Sequence, residues 1–364
     1  MKHLFALVLA LSLSFTVYAQ YLLKADYLSL ETEQQVTNHF TFQHLQLYPL
    51  YAGQAFRQAH EDMGNYDNLQ EALENQKVII TEMGSGESTL SNESLRNNVQ
   101  HSNEPIQQSI QATEIRANNQ MQQQSVNALV GGGAQVNSLM IENTSQDTIY
   151  LMAGEVIKGG KQDRVLAQDM ILAPNSGKID LGVFCVEQSR WRFKSEEGQT
   201  FGEYYGVVSN RVRKVAILEK SQSKVWENVA QITAANEAMT ESKTYTALAN
   251  SDEYQQQLLD YRTFFLKALG AQPNCIGFVG LSGDRIIGMD LFATPELFQK
   301  QVDPILNAYI TEAISQGGEI SIQQADVAAY LAEFLTKEDQ QGLSFGSKGD
   351  IFRHKGKKLH ISTY

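Results

Sequence analysis

The chain has 364 residues, of which 42% are hydrophobic, 9% aromatic and 19% charged. This apolar content is enough to fill a core, which excludes a wholly disordered protein, and the length allows one large or two ordinary domains. With 41 Asp and Glu against 29 Lys and Arg, the formal net charge is −12. Because nucleic acids and anionic membranes attract clustered cations, this acidic balance argues against both as general partners.

The chain begins with the features of a secretory signal peptide. Lys2 is followed by the apolar run Leu4–Leu11, which is too short to span a bilayer core of about 30 Å. The tripeptide Val17-Tyr18-Ala19 places small residues at the two positions that a signal peptidase recognises. We therefore expect residues 1–19 to be removed, and we predict export to the periplasm or the extracellular space, with no transmembrane segment in the mature chain.

The first part of the mature chain combines short patterned segments with one polar stretch. Residues 20–46 are a lead-in of mixed character, and residues 47–315 carry most of the predicted structure as one α+β domain. Asn68–Leu73 has helical composition, and Val78–Thr81 is typical of a strand. In residues 97–127, 14 of 31 side chains are Asn or Gln, which leaves little apolar area to bury. We interpret that stretch as an insertion that forms a solvated helix or a loop.

The middle of the chain is typical of antiparallel strands. Val136–Glu142 and Thr148–Met152 are β-rich runs, and the five polar residues between them suit a hairpin loop. Val165–Leu172 is a third run, and Ile179–Cys185 alternates with period two, which places Cys185 on an apolar face. These runs favour an antiparallel β-sheet or a sandwich-like half.

Helical patterns predominate after Arg192. Val225–Met239 and Asp252–Leu269 have helical composition, and the second shows an apolar stripe at spacings of three and four. Two apolar runs flank Ser282-Gly283-Asp284, which is a compact hairpin signal. The pair Thr294-Pro295 then supplies an N-cap and a first helical residue. This half of the chain therefore predicts a hairpin followed by packed helices.

Residues 316–364 add one more helix, for which Ser321 is the expected cap, and a basic tail. Lys355-Gly356-Lys357 in that tail indicates a second hairpin. Together the segments predict the α+β class, with a β-rich N-terminal half followed by a C-terminal β-hairpin and packed helices.

The two cysteines leave two interpretations open. Export and an even count favour a disulfide between Cys185 and Cys275. Each cysteine also lies in an apolar, strand-like segment, where a free buried thiol behaves as a small hydrophobic group. The sequence therefore predicts either one disulfide or two unreactive core thiols.

Polar and charged residues are concentrated at three strand ends of the β half. They are, in chain order, Glu155, Gln162, Asp163, Arg164, Glu187, Arg190 and Trp191. If these strands are neighbours, one of the arginines can form a bidentate pair with one of the glutamates, or hold the carboxylate or phosphate of a ligand. The other interpretation is an internal salt-bridge network at a strand end, with Trp191 as its lid.

Metal and covalent chemistry have little support in the sequence. The histidines of the mature chain form no short-spaced ligand pair with Cys, Asp or Glu in the β half, so we expect no metal site and no cofactor. Cys185 is near Arg190, but its apolar face indicates burial, which disfavours a nucleophilic thiolate. Gly159-Gly160-Lys161 lacks the glycine spacing of a phosphate-binding loop, and a strand follows it instead of a helix.

Several short segments around this cluster form a recognisable set. They are Tyr66–Leu73 with Thr81-Glu82, Gly154-Glu155, Gly160–Arg164, Ile171–Pro174, Cys185–Trp191, Gly288–Phe292 and Pro295–Phe298. In these segments, over roughly residues 47–315, the chain resembles the ARG and rhodanese-phosphatase-superfamily-associated domain family. Asp163 stands where the family commonly has Asn, and Ser189 stands where it commonly has Gly. The resemblance implies no established reaction; the family's name implies association with phosphatase-like partners in some architectures.

We expect a non-enzymatic binding or interaction domain, in which the cluster is an internal scaffold or holds a small anionic ligand. A protein partner on the helical C-terminal half is a further option. The alternative is a hydrolase-like enzyme with Glu155 or Glu187 as general base. In that case Arg164 or Arg190 stabilises the developing negative charge. The interpretations differ in whether these side chains line an open pocket or pair with one another away from solvent.

Overall fold

A computed structural model of the protein describes residues 27–82, 137–189, 200–341 and 348–364. The expected signal peptide of residues 1–19, the Asn/Gln-rich segment of residues 97–127, and both Arg190 and Trp191 lie outside the described residues. Among the described helices, none combines the length and the apolar character needed to cross a bilayer.

The described residues form strands and helices that we number in chain order. The strands are β1 (Leu28–Leu30), β2 (Thr41–Phe42), β3 (Leu45–Ala52), β4 (Asp67–Asn68), β5 (Val78–Glu82), β6 (Ser138–Asn143), β7 (Ile149–Leu151), β8 (Glu155–Gly159), β9 (Arg164–Leu166), β10 (Met170–Leu172), β11 (Gly177–Cys185), β12 (Thr200–Val207), β13 (Cys275–Ser282), β14 (Arg285–Phe292), β15 (Gly349–His354) and β16 (Lys357–Thr363). The helices are α1 (Glu33–His39), α2 (Gln54–Ala59), α3 (Leu69–Glu74), α4 (Asn210–Lys214), α5 (Gln222–Ala235), α6 (Asp252–Gly270), α7 (Pro295–Gln316) and α8 (Gln324–Gln341). A π-helical turn, Val215–Glu219, follows α4, and a 3₁₀ helix, Tyr245–Asn250, precedes α6.

The chain divides into two compact units. One, which we call the sheet unit, consists of Met1–Gly64 and Gln256–Tyr364. The other, the barrel unit, is the continuous segment Asn65–Gln255. The combination of helices with antiparallel sheets confirms the predicted α+β class.

The sheet unit is built on an antiparallel sheet in the order β1-β3-β13-β14-β16-β15, with β2 paired to β3. The predicted hairpin at residues 282–284 joins β13 and β14, and the predicted C-terminal hairpin joins β15 and β16. Helix α7 packs on β13, β14 and β3. It begins as predicted, because the Thr294 hydroxyl caps it by accepting a hydrogen bond from the Leu297 N–H at 3.1 Å. Helix α8 begins at Gln324, so Ser321 is not its cap as predicted; the Asp326 carboxylate accepts from the Gln323 N–H there instead.

A buried polar triad lies between α7 and the sheet. Gly280 lets the Tyr309 ring lie directly on β13, since a Cβ at that glycine would be 2.4 Å from the ring. The Tyr309 hydroxyl then donates to one carboxylate oxygen of Asp290, and Nε2 of His360 lies 3.0 Å from the other. Tyr309 and Asp290 are 0% exposed and His360 is 1% exposed, so the triad links α7, β14 and β16 inside the core.

The barrel unit contains a closed antiparallel barrel in the order β11-β6-β5-β12-β8-β9 and a small sheet in the order β10-β7-β4. One apolar cluster runs through both and includes Ile80, Ile157 and Leu181 of the barrel, Leu151 of the small sheet and Leu69 of α3. The strands expected in a sheet or a sandwich-like half are thus arranged as a barrel, in which β5 and β12 complete the closure.

Two strand-level expectations differ from the structure. The predicted hairpin between residues 136 and 152 is wrong, because β6 pairs with β5 and β11, whereas β7 pairs with β10 and β4. The Asn143 side chain holds the intervening loop by donating to the carbonyls of Asp147 and Ala173. Strand β12 has no counterpart in the sequence analysis, since Gly202 and Gly206 interrupt its apolar alternation and its pairing with β8 is irregular at both places.

Both cysteines are free, buried thiols; Cys185 ends β11 in the barrel unit and Cys275 begins β13 in the sheet unit. Burial raises the pKa of Cys275 to about 12. Burial also raises the pKa of Cys185, and the nearby Arg164 guanidinium opposes that effect. Neither thiol is therefore activated as a nucleophile at neutral pH.

Candidate functional site

Four strand ends of the barrel bring the polar cluster together. Glu82 ends β5, Glu155 begins β8, Arg164 begins β9 and Cys185 ends β11. Strand β9 lies between β8 and β11, and Arg164 is the register partner of Ile157 on one side and of Cys185 on the other. The start of β9 therefore lies beside the end of β11, and the residues that flank these two ends meet.

Arg164 is the centre of the first group of contacts, which we call the Arg164 network. Its guanidinium donates to the Gln162 carbonyl at 2.7 Å and forms an ion pair with Oε1 of Glu82 at 3.4 Å. The same oxygen of Glu82 accepts from the Lys161 N–H at 2.7 Å. The two charged side chains are 0% and 6% exposed, so the pair is internal. Arg164 thus pairs with Glu82 and not with Glu155 or Glu187, whereas the alternative predicted pairing, through Arg190, lies outside the described residues.

Three other predicted residues belong to the Arg164 network. The Gln162 side chain donates to the Glu187 carbonyl at 2.9 Å, and the Asp163 N–H donates to the Glu187 carboxylate at 3.3 Å. The Asp163 carboxylate accepts from the Gly159 N–H at 3.3 Å and from the Thr246 hydroxyl at 3.0 Å. These contacts connect the β8–β9 loop to the end of β11 and to the 3₁₀ helix.

Glu155 forms a separate group of contacts, the Glu155 network. One carboxyl oxygen accepts from the Met152 N–H at 2.7 Å, and the other accepts from the Tyr204 hydroxyl at 3.1 Å. Burial raises the pKa of Glu155 to about 8, against the opposing effect of both hydrogen bonds. The nearby Asp169 carboxylate also raises this pKa, and the Arg213 guanidinium lowers it. Near neutral pH, a large fraction of this carboxyl group therefore carries a proton.

The surroundings of Glu155 are packed tightly. Arg213 is 0% exposed and donates to the Asn210 side chain at 3.1 Å, and the Asp169 carboxylate accepts from the Ala153 N–H at 2.6 Å. Gly154 has φ +93°, and a Cβ at this position would lie 2.7 Å from Cγ of Arg213. A glycine directly before Glu155 is thus required by both the backbone conformation and the arginine packed against it.

The structure brings together four of the predicted site residues and separates one. Gln162, Asp163, Arg164 and Glu187 lie in one network, whereas Glu155 has its own partners. Arg190 and Trp191 belong to the same prediction, but they lie outside the described residues.

Several residues with a direct role in the two networks were not predicted, among them Glu82, Asp169, Tyr204 and Arg213. For Glu82 there was a signal, since an acidic residue directly follows the predicted strand Val78–Thr81. Tyr204 and Arg213 come from a segment without a clear pattern, and only the closure of the barrel by β12 places them near Glu155.

The two networks differ in what they can do chemically. The Arg164 network holds charged groups in fixed contacts with one another and with backbone amides, which is an arrangement that stabilises loops. The Glu155 network contains a carboxyl group that titrates near neutral pH beside an arginine, which is an arrangement suited to proton transfer. No group of three His, Cys, Asp or Glu side chains in the described part of the chain is arranged to hold a metal ion.

The fold and the site together define the class: an α+β protein with a closed antiparallel barrel and a buried polar cluster at its strand ends. The model of the ARG and Rhodanese-Phosphatase-superfamily-associated Protein domain matches residues 33–362. The chain therefore belongs to this family, which confirms the resemblance in the sequence. Comparisons with curated proteins and with solved structures each gave no match.

Proposed function

We propose that the protein is an exported, non-enzymatic binding or interaction domain whose polar strand-end cluster is an internal scaffold. One observation carries this proposal: the five described cluster residues, Glu155, Gln162, Asp163, Arg164 and Glu187, are 0–4% exposed. The contacts described above join them to one another, to neighbouring side chains and to backbone groups of the barrel unit. Side chains enclosed in this way hold protein segments together, and a ligand from solvent would have to displace those contacts to reach them.

The partner class follows from charge. A net charge of −12 disfavours nucleic acid, so the candidates are a small anionic ligand bound at a local cationic site, or a protein. The proposal of export depends on residues 1–19 alone. Mass spectrometry of the mature protein tests it, because cleavage after Ala19 leaves Gln20 as the first residue, whereas an intact Met1 contradicts export through this segment.

The scaffold role of Arg164 predicts a rescue between two substitutions. Arg164→Met removes the charge at similar volume and leaves Glu82 buried opposite an apolar chain, which we expect to lower the free energy of unfolding by about 3 to 5 kcal/mol. Adding Glu82→Leu removes the stranded carboxylate and should restore most of that loss, as measured by urea denaturation. A stable, fully folded Arg164→Met protein that has lost affinity for an anion would contradict the scaffold role.

One observation favours the alternative, a hydrolase-like enzyme. The pKa of Glu155 is raised to about 8, which is a suitable value for a general acid or base near neutral pH. In this alternative Glu155 or Glu187 is the base, and Arg164 or Arg190 stabilises negative charge. It predicts that Glu155→Gln or Glu187→Gln abolishes turnover of a hydrolysable ester or phosphate while the thermal midpoint stays high. Equal loss of fold and turnover would count against the enzyme.

A further inference from the structure

The sheet unit contains a cavity of about 300 Å³ whose lining is both aromatic and cationic. Phe56, His60 and Phe292 contribute rings, and Arg353, Lys357 and Lys358 contribute cations. All of these residues belong to the sheet unit and are well separated in sequence from the Glu155 and Arg164 networks. A volume at the lower end of the range for ligand pockets suits a compact molecule with one or two rings.

The rings of the cavity are held in fixed orientations. Phe56 stacks on His60 with centroids 4.2 Å apart, and Phe292 stacks on His360 at 4.4 Å and 9°. The Phe56 carbonyl can only accept, so the 2.8 Å contact with Nδ1 of His60 places the proton there and leaves Nε2 as an acceptor. Burial lowers the pKa of His60, with Lys357 and Lys358 adding to that effect, so the ring is neutral at pH 7. The cavity therefore has rigid, uncharged aromatic surfaces.

The cations come from one hairpin. Residues 348–364 contain five Lys and Arg against a single Asp, a net charge of +4 in a chain whose total is −12. Lys355 and Gly356 have φ values of +52° and +70°, as in a type I′ turn, which holds β15 and β16 in register at this end. Of the lining cations, Lys357 bonds to the carboxylate of Asp62.

The other two lining cations face each other. Arg353 and Lys358 are register partners across β15 and β16, so their side chains lie on the same face of the hairpin. Lys358 is half-buried, and this burial lowers its pKa. An anionic group in the cavity would lie near both positive charges.

We propose that this cavity binds a small aromatic anion, a planar ring that carries a carboxylate or a phosphate. The ring packs against Phe56 and Phe292, and the anionic group contacts Arg353 and Lys358. This assignment rests on the proposed binding function and names its site and ligand class.

Calorimetric titration of the full-length protein tests the assignment with three probes that share one ring system: naphthalene carboxylate, naphthyl phosphate and neutral naphthalene methanol. We expect at least one anion to bind about tenfold or more tighter than the alcohol, and the better anion identifies the acidic group. Lys358→Gln should weaken binding of that anion about tenfold and leave the alcohol unchanged. Lys348→Gln is the matched control, because Lys348 precedes the same hairpin, is exposed and pairs with Glu333 at 3.1 Å.

Four results would overturn the assignment: no binding of either anion, equal affinity for the alcohol, an equal effect of the control substitution, or unchanged anion affinity in both cavity variants. If Lys358→Gln lowers the melting temperature, Arg353→Gln is the second variant, and it must weaken binding of the anion by a similar factor. These outcomes are distinct from failure of the proposed function. Turnover that is lost in Glu155→Gln would contradict the proposal that the protein is not an enzyme. Unchanged anion affinity in both cavity variants would contradict only the proposed ligand site in the cavity.

Discussion

Replacing Glu155 with glutamine tests whether this carboxyl group is protonated in the folded protein. Burial raises its pKa from 4.5 to about 8, although Met152 and Tyr204 donate to its two oxygens. Glutamine has the shape of the protonated acid. Its amide oxygen can accept from the Met152 N–H, but its NH2 group can only donate, so the Tyr204 hydroxyl would have to accept from it. We therefore expect Glu155→Gln to fold with the Met152 contact kept and the Tyr204 contact reversed in direction, while it loses the proton exchange of the wild-type side chain.

The size of the effect follows from proton linkage. Below pH 4.5 the carboxyl is protonated in both states, and its contribution to stability is fully present. As the pH rises towards about 8, the unfolded chain has lost the proton while the folded one retains it, so stability falls by about 1.4 kcal/mol per pH unit. Between about pH 5.5 and 7.5, this amounts to about 3 kcal/mol of unfolding free energy.

The assay is urea denaturation of both proteins at several pH values in this interval. All other titrating groups are shared, so the difference between variant and wild type isolates Glu155. We expect the stability of Glu155→Gln relative to wild type to increase by about 3 kcal/mol from about pH 5.5 to 7.5. Glu203→Gln on the neighbouring strand β12 is the control, because Glu203 is exposed and pairs with Lys158 at 2.6 Å. Parallel stability profiles for wild type and Glu155→Gln would refute the reasoning, since they would mean that the carboxyl ionises as freely in the folded protein as in the unfolded one.

Three other substitutions or treatments probe the packing of both units. Gly154→Ala should lower the free energy of unfolding by about 3 kcal/mol, since φ is +93° and the new Cβ meets Arg213. The control Gly177→Ala, with φ +64° and no atom within 4 Å of the new Cβ, should cost about 1 kcal/mol. Equal losses of stability in thermal melts would contradict the packing argument. Asp290→Asn should lower the free energy of unfolding by about 3 kcal/mol because it breaks the buried triad. The control Asp303→Asn, in a surface ion pair with Arg262, should cost about 1 kcal/mol. An Asp290→Asn protein as stable as the wild type would show that the triad adds no stability. The two buried cysteines should resist a thiol reagent in the native protein and both react in denaturant without reductant; fewer than two reactive thiols there would indicate a disulfide.

The parts of the fold that were predicted from the sequence depend on local signals. Ser282-Gly283-Asp284 fixes a hairpin because a tight turn leaves its two strands only one partner nearby. Thr294-Pro295 fixes a helix start because the cap and the first helical residue act within one turn. The helix predicted at Asn68–Leu73 forms for the same reason, since Asn68 caps α3 and makes a capping box with Glu71. In each case the residues that decide the structure are adjacent in the chain.

The parts that were not predicted depend on partners that are distant in the chain. The polar loop around Asn143 shows that the backbone changes direction, but nothing in it specifies that β6 and β7 join different sheets. The concentration of charge at Arg164 was visible, yet its partner proved to be Glu82, which lies in another strand of the closed barrel. Arg213 approaches Glu155 only because Gly154 has no side chain to exclude it. Such contacts follow from the three-dimensional closure of the barrel, and pattern reasoning does not supply that closure.

The interleaved order of the two units has a consequence for how the polypeptide matures. Strand β3, which is apolar and lies between β1 and β13 in its sheet, is synthesised about 220 residues before its neighbour β13. Closing so long a segment is entropically costly and slow, whereas the continuous barrel segment is complete before β13 leaves the ribosome. Until then one edge of β3 lacks its partner and is open to association with other chains. If the chain is exported as proposed, this delay favours transit, because the strand stays unpaired while the chain crosses the membrane, and the same unpaired edge must be protected from association until β13 is present.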